Sequence, residues 1–550
     1  MIDLNTWDGP AEVQAEVAIV GGGAAGISLA RQLAEAGRSV TLLEAGGVDF
    51  EEATQALYAG ADLGMEYYPL GDSRLRFLGG TTNIWGGRCV PMQPIDFVQR
   101  DWVPHSGWPI DYAELEPHYA AAHADLELGA FDYSDKLWAN FSKRSPEFDP
   151  ELFATMFWRF DERRERFAAP LPKVLAAGGP GDTDARVRVF VHANVTRLGV
   201  TPQANALTDL RAESLGGKAL TVQAQQYVLA GGAIENARLL LAADEVEPQG
   251  IGNRHDQVGR YFMEHPHARL ATVTANGSSA DRSAAYAVWA AFRKRFAGEV
   301  PGADVPLAPV LLPSAELQRK ERILNTALTF KLQRSLEKGT PLNRQLYLSL
   351  KHSLNPTRTG RTLWQSYRAA KAALQRTVRE PFERTRVALG LTGLHIMVRA
   401  EQAPNPASRV LLGVERDALG MRRANLDWQL NAQDTHTLQV LARSLDAEFA
   451  RLGIGRVQRA PWLAAVAEGA VTAWPIDPST GNHPIGGYHH MGTTRMSTDP
   501  TAGVVDADCR VHNYANLYVA GSSVFPTGGW ANPTLTILAL THRLGAHLLK

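Results

Sequence analysis

Residues 15–47 read AEVAIVGGGAAGISLARQLAEAGRSVTLLEAGG. Val17–Val20 is a short apolar run of strand character, and Gly21, Gly23 and Gly26 follow it as GxGxxG. Ile27–Ala36 then reads as a helix that Gly37 ends, and Ser39–Leu43 as a second strand finishing at Glu44. Each part has a physical task. Gly21 permits the tight turn, Gly23 lets a pyrophosphate approach the backbone, and Gly26 lets helix and strand pack closely. The helix amino terminus offers free N–H groups and a partial positive charge to phosphates. Glu44, 23 residues after Gly21, is placed to accept hydrogen bonds from ribose hydroxyls, and its charge disfavours a 2′-phosphate. With strand, helix, strand and acid all present, the stretch predicts a dinucleotide site. It does not by itself choose between NAD and FAD.

At 550 residues the chain exceeds what one hydrophobic core fills, which predicts at least two domains. The apolar share of 45% and charged share of 21% are those of an ordinary globular protein. A formal net charge of −1 gives no reason to expect a nucleic-acid partner. Cys89 and Cys509 form no CxxC, which excludes a dithiol reductase and a disulfide framework. No metal site is read. The opening MIDLNTWDGP lacks the apolar segment of a secretory signal, and no run approaches the ~18 apolar residues of a membrane span, so the expected compartment is the cytosol.

Further segments read as parts of the same site. RFLGGTTNIWGGRCVPM, Arg76–Met92, holds two glycine pairs that let backbone lie against a flat ring. Val187–Val195 alternates as a strand. Thr221–Ala230 is another, followed by Gly231-Gly232 and a helical pattern over Ala233–Ala243. Asn516–Ala520 is a short strand entering Gly521-Ser522-Ser523. Such strand-to-glycine junctions are where doubly wound sheets bind ligands.

These stretches together resemble the glucose-methanol-choline (GMC) family of flavin-dependent alcohol oxidoreductases. The matching segments are VGGGAAGISLARQLAEAG with LLEAGG, FLGGTTNIWGG, VLAGGAIENARLLL, VGRYFMEHP, and YHHMGTTRM through NLYVAGSSVFPTGGWANPTLTILALTHRLGAHL, in family order along the whole chain. The resemblance implies an α/β fold, with a Rossmann-like FAD-binding domain and a discontinuous α+β substrate domain carrying a β-sheet over the flavin. It puts the FAD-binding domain at 1–100, 181–270 and 481–550, and the substrate domain at 101–180 and 271–480. It puts the cofactor against Gly21, Gly23, Ala24, Ala25, Gly26, Glu44 and Ala45, and against Gly79, Gly80, Thr82, Asn83 and Gly86. Val195, Ala230, Gly231, Gly521, Ser522, Asn532, Pro533 and Thr534 complete that set. Some members hold FAD covalently through a histidine in the segment matching FLGGTTNIWGG. None occurs between Phe77 and Met92, so FAD is expected to be non-covalent. Gly521 stands where many members carry an aspartate, and there the pyranose oxidases look nearer.

The family's two catalytic positions, which are also its substrate contacts, map onto His489 and Asn532, with His490 the one-residue alternative. A neutral imidazole takes a hydroxyl proton at physiological pH, an amide holds the same oxygen, and the hydride goes to flavin N5. Asn532 suits an N-cap and Pro533 the first position of the last helix, whose positive end then faces the flavin. His542 is read as packing and His265 as shaping the domain junction.

The expected substrate is an alcohol, with a sugar or glycoside hydroxyl favoured. The alternatives are a secondary alcohol of a lipophilic natural product and an FAD-bound lyase-type member. The electron acceptor would be oxygen, a quinone or a redox protein. The segment from Pro404 through Leu430 is predicted as strands turning at Arg416-Asp417, in a sheet facing the flavin. Residues 331–390 hold thirteen Lys/Arg and three Asp/Glu, a net of +10. Leu342, Leu346, Leu350 and Leu354 recur every four residues, and Trp364, Tyr367, Lys371 and Leu374 follow the break at Pro356. This reads as a basic amphipathic helical hairpin, favoured as a solvated lid over a membrane- or partner-docking element.

Overall fold

The computed structural model describes residues 1–141, 147–163, 166–167, 173–176, 186–274, 304–334, 357–389, 391–467, 469–475 and 487–550. Two large sheets organise an α/β architecture.

The first sheet has eight strands. Its parallel core runs Ile2–Asp3, Val187–Val191, Val40–Leu43, Glu12–Val20 and Ala219–Leu229. VAIV and VTLL are buried throughout, with Thr41 the one polar side chain, because both faces of a parallel sheet are covered. The long strand Ala219–Leu229 has two partners on its other edge. Its first half pairs antiparallel with Leu207–Glu213, and its second half pairs parallel with Leu517–Val519. The carboxyl-terminal segment is thereby brought beside the amino-terminal glycine turn. On the sheet, the helix Ala24–Glu35 packs against the last helix, Pro533–Leu548, which packs in turn on Tyr112–Asp125. His542 fastens the last helix to Asp125 Oδ2 at 2.9 Å, the packing role expected of it.

The second sheet is antiparallel, in the order Arg456–Arg459, His267–Thr274, Gly393–Ala400, Thr326–Gln333, Leu307–Pro313, Phe153–Phe160 and Arg88–Cys89. Beyond its Gly393–Ala400 strand, Glu401 receives Arg100 in a fully buried pair, Nη1 to Oε2 at 2.9 Å, and the Asn325 N–H at 2.9 Å. Burial disfavours the Arg100 cation, but Glu401 outweighs it and holds the guanidinium pKa up.

Several boundaries differ from the sequence reading. The first helix begins at Ala24, three residues earlier than expected, because the glycine-rich turn itself supplies its N-cap, Gly23. The single strand expected over Val187–Val195 is two, Val187–Val191 and Asn194–Val200. His192 takes a left-handed φ of 55° between them, held by Asp3 and Glu51 on its two ring nitrogens. The hairpin Arg409–Arg416 and Arg422–Asp427 forms as expected, but it is a separate two-stranded sheet packed on the helix Gly232–Ala242. It does not belong to the seven-stranded sheet. Its outer half is exposed, and Arg238 of that helix fixes its turn through Asp417 Oδ2 at 2.6 Å.

Of the basic segment, the second arm is a helix, Arg358–Ala388, starting just after Pro356 and N-capped by Thr357. Arg361 anchors it to Asp49 at 3.1 Å, while Leu363, Tyr367 and Phe382 are exposed. The leucine repeat at 342–354 lies outside the described residues. Among the described residues no helix is long and apolar enough to cross a membrane.

Candidate active site

A cavity of about 790 Å³ runs from the glycine turn at Gly21–Gly23 to His489 and Asn532. All the site residues expected from sequence line it except Gly26 and Asn83. Those two shape it from behind. A Cβ on Gly26 would stand 1.9 Å from the Gly21 carbonyl oxygen, so glycine there is a packing requirement. The Asn83 amide nitrogen donates to the Leu78 and Gly80 carbonyls at 2.9 and 3.0 Å, bracing the 3-10 turn Gly80–Ile84. The two glycine turns are tied directly, Gly79 N–H to Gly22 carbonyl at 2.7 Å.

Glu44 accepts the Gly22 and Gly46 N–H groups at 2.7 and 2.9 Å, which fixes its carboxylate at the cavity wall. Burial pushes its pKa up against those bonds. Gly23 opens directly on the cavity: nothing lies within 4 Å of where its Cβ would be. The helix that follows has no side-chain cap and no acid in its first turn, so its leading N–H groups are free for an anion. Gly521 has φ 108° and ψ −175°, a conformation essentially confined to glycine.

Arg74, Arg76 and Glu235 were missed by the sequence reading and also line the cavity. Arg76 reaches Asn194 Oδ1 at 3.0 Å and Glu235 Oε2 at 3.3 Å, and Arg74 Nη2 reaches Glu235 Oε1 at 3.2 Å. Burial would raise the Glu235 carboxyl, but Arg238, Arg74 and Arg76 hold it down at about 2. The Nε and Nη1 of Arg74 are buried without partners. A free helix terminus, orphaned guanidinium N–H groups and an open glycine together suit a diphosphate, and Glu44 suits a ribose. The residues present therefore fit FAD.

At the other end His489 is half-buried and faces Asn532, Nε2 to Nδ2 at 3.3 Å. These two residues, 43 apart in sequence, are brought together by the strand Leu517–Val519 and the turn before the last helix. Asn532 occupies the N-cap position but its side chain does not cap. Its Oδ1 instead accepts from Arg399 Nη1 at 3.0 Å. The backbone N–H of His489 donates to Glu264 Oε2 at 2.9 Å, and its Nδ1 lies 2.7 Å from His265 Nδ1. Burial first, then His265 and Arg399, hold the His489 pKa well below the usual histidine range. Burial pushes the Glu264 carboxyl up to about 8, against the pull of its hydrogen bonds and of Arg399.

His490 lines the same cavity but packs its ring against Tyr67 and Phe262 and does not reach Asn532. Arg399 escaped the sequence reading, and His265 was read only as shaping the domain junction. A signal for Arg399 was present, because a lone arginine in the apolar strand GLHIMVRA needs a polar reason to be there.

Residues 16–255 match the FAD dependent oxidoreductase family, and residues 404–541 match GMC oxidoreductase. The chain is 24% identical to a 6'''-hydroxyparomomycin C oxidase of Streptomyces lividus, over 95% of this chain and 89% of that protein. It is also 24% identical to a 2-methyl-1,2-propanediol dehydrogenase of Mycolicibacterium austroafricanum, over 98% of this chain and 95% of that one. A formate oxidase crystal structure shares the fold with a TM-score of 0.52 at 17% identity, covering 98% of this chain and 99% of that one. Residues 404–541 thus carry a GMC oxidoreductase carboxyl-terminal domain behind an FAD dependent oxidoreductase domain, and the protein is an FAD-dependent enzyme acting on alcohol-type substrates.

Proposed function

We propose that the protein oxidises a hydroxyl of a sugar, glycoside or similar hydroxyl-rich alcohol to a carbonyl, with His489 as base and Asn532 holding the reacting oxygen. The observation that carries this reading is the 3.3 Å pairing of His489 Nε2 with Asn532 Nδ2 at the cavity wall. FAD, when bound, supplies the two-electron acceptor. His489 Nε2 receives the hydroxyl proton, and the Asn532 amide steers the oxygen without exchanging a proton. Arg399 keeps the amide in its orientation and adds positive charge beside the oxygen as it loses its proton.

The surroundings favour a hydroxyl-rich ring over a lipophilic alcohol. Tyr68, Tyr488, Trp85, Arg88 and Arg399 line the same cavity, mixing aromatic rings with cationic groups. The absence of histidine from residues 77–92 supports non-covalent FAD, and acid precipitation should leave the flavin in the supernatant. The two sheets support a division into FAD and substrate domains, although Arg88–Cys89 joins the second sheet and both Tyr112–Asp125 and the hairpin at 409–427 pack on helices of the first unit, against the expected bounds.

An anaerobic screen tests the substrate. Sugars, glycosides, small diols and lipophilic alcohols are added to the yellow protein without air. Bleaching by hydroxyl-rich rings supports the reading, and bleaching by lipophilic alcohols alone overturns it. Readmitting air then separates oxygen from a quinone or redox-protein acceptor.

The pH dependence follows from the base. Neutral imidazole is the active form and exists above its pKa, and that pKa lies well below 6.5. Lowering it extends the active form toward acid. The groups facing it are His265, His267, His490, Arg399 and Glu264. The rate of flavin reduction should hold level down through pH 6.5 and fall only in more acid buffer. A fall centred at or above pH 6.5 would contradict this.

A further inference from the structure

We infer that His265 is a positioning residue for the oxidation, holding His489 in the tautomer whose Nε2 carries the free lone pair. This deepens the reading in which His489 is the base. Donor and acceptor roles along five groups decide it.

At one end stands Arg399, which can only donate. Its Nη1 lies 3.0 Å from Asn532 Oδ1 and its Nε 2.7 Å from His267 Nε2. The Asn532 oxygen therefore faces Arg399 and its nitrogen faces His489 Nε2 at 3.3 Å. An amide N–H only donates, so His489 Nε2 accepts and carries no proton. At the other end stands the Gly529 carbonyl, which can only accept. His265 Nε2 lies 2.8 Å from it and so bears the hydrogen. A neutral imidazole has one N–H, which leaves His265 Nδ1 a lone pair. Burial, with Arg399 nearby, holds His265 at about 4, so the ring is neutral. His489 Nδ1, 2.7 Å away, must then donate to it. The two ends are fixed independently and require the same tautomer of His489. In that tautomer the ring presents a bare nitrogen to Asn532 and the cavity.

The surrounding backbone is built to keep the wire in place. Gly529 has φ 53°, and a Cβ there would stand 3.0 Å from the Asp96 carboxyl, so the carbonyl is set by a conformation that glycine alone adopts readily. Glu264 Oε2 accepts the N–H of both histidines, His489 at 2.9 Å and His265 at 3.2 Å. An apolar side chain in place of His265 would fill its buried space but would offer His489 Nδ1 no acceptor. The Nδ1–H would be left buried without an acceptor, and the Asn532 contact alone would hold the ring in the tautomer that takes a proton from the cavity, a weaker hold on its orientation.

The test begins with the parent holoenzyme. Nitrogen-15 NMR of histidine-labelled protein distinguishes bare from protonated ring nitrogens, and the His489 signals are those lost in His489→Ala. The expected result is a protonated Nδ1 and a bare Nε2, and the reverse overturns the inference. His265→Leu should lower kcat roughly tenfold to a hundredfold, the scale on which groups that orient a functional histidine act, with KM and flavin content near the parent values. His265→Gln can donate to Gly529 and accept from His489, and should recover most of that loss. Equal losses in the two variants, or none in either, overturn the inference. Should the leucine variant fail to fold, the parent tautomer and the glutamine variant still decide it. The expected tautomer combined with full-rate reduction of His489→Ala would leave the wire standing and remove the base assignment instead.

Discussion

His489→Ala should bind FAD as the parent protein does, yet be reduced by its alcohol at least about 10²-fold more slowly, the usual worth of a general base. Retention of FAD is expected because the features suited to its diphosphate and ribose, Gly23, the uncapped helix and Glu44, belong to the amino-terminal turn and not to the His489 segment. The loss of rate follows from the lack of a substitute. His490 is turned against Tyr67 and Phe262, and His265 is held with its ring nitrogens on His489 and Gly529. Anaerobic stopped-flow reduction, followed by visible absorbance, gives the comparison directly. A variant bleached at the parent rate would reassign the base.

Gly23→Val should produce a folded protein that fails to hold its cofactor. Gly23 has an extended backbone, φ −86° and ψ −169°, that valine adopts without strain. Nothing lies within 4 Å of the position its Cβ would take, so the fold has room for it. The space it fills is where a diphosphate would approach the helix terminus. FAD affinity should fall by about two orders of magnitude or more, roughly 3 kcal/mol. Flavin content after purification, circular dichroism and calorimetric FAD titration read both halves of this expectation. Full flavin content would show that the diphosphate lies elsewhere. The contrasting substitution, Gly26→Val, would clash with the Gly21 backbone and disturb the turn itself.

The nucleotide end was legible because its requirements are local. Turn, helix start and terminal acid fall within one continuous stretch, and the structure places Gly21, Gly23 and Glu44 on one cavity. His489 and Asn532, named by resemblance and not by spacing, come together on that same cavity. What escaped was long-range pairing. Nothing in MEHPH announces that His265 will meet a ring 224 residues later. GDSRLRF gives no sign that Arg74 and Arg76 will converge on Glu235. Alternation over Val187–Val195 could not show the left-handed step at His192, whose ring meets carboxylates distant in sequence, Asp3 and Glu51. The hairpin after Pro404 was recognised as strands but assigned to the wrong neighbour. It packs on the helix Gly232–Ala242, where Arg238 meets Asp417 and the Arg422 carbonyl, contacts that the local strand pattern does not announce. Asn532 was read correctly by position and incorrectly by bond, since Arg399 takes the oxygen that would otherwise cap.

A double-mutant cycle on His489→Ala and Asn532→Ala, read as the anaerobic rate of flavin reduction, probes most directly whether the two side chains act on one hydroxyl. Joint action predicts strong coupling: the double variant should be slower than the worse single variant by no more than a few-fold. Losses that simply multiply would mean that imidazole and amide serve separate steps, and the shared grip on a single oxygen would have to be abandoned.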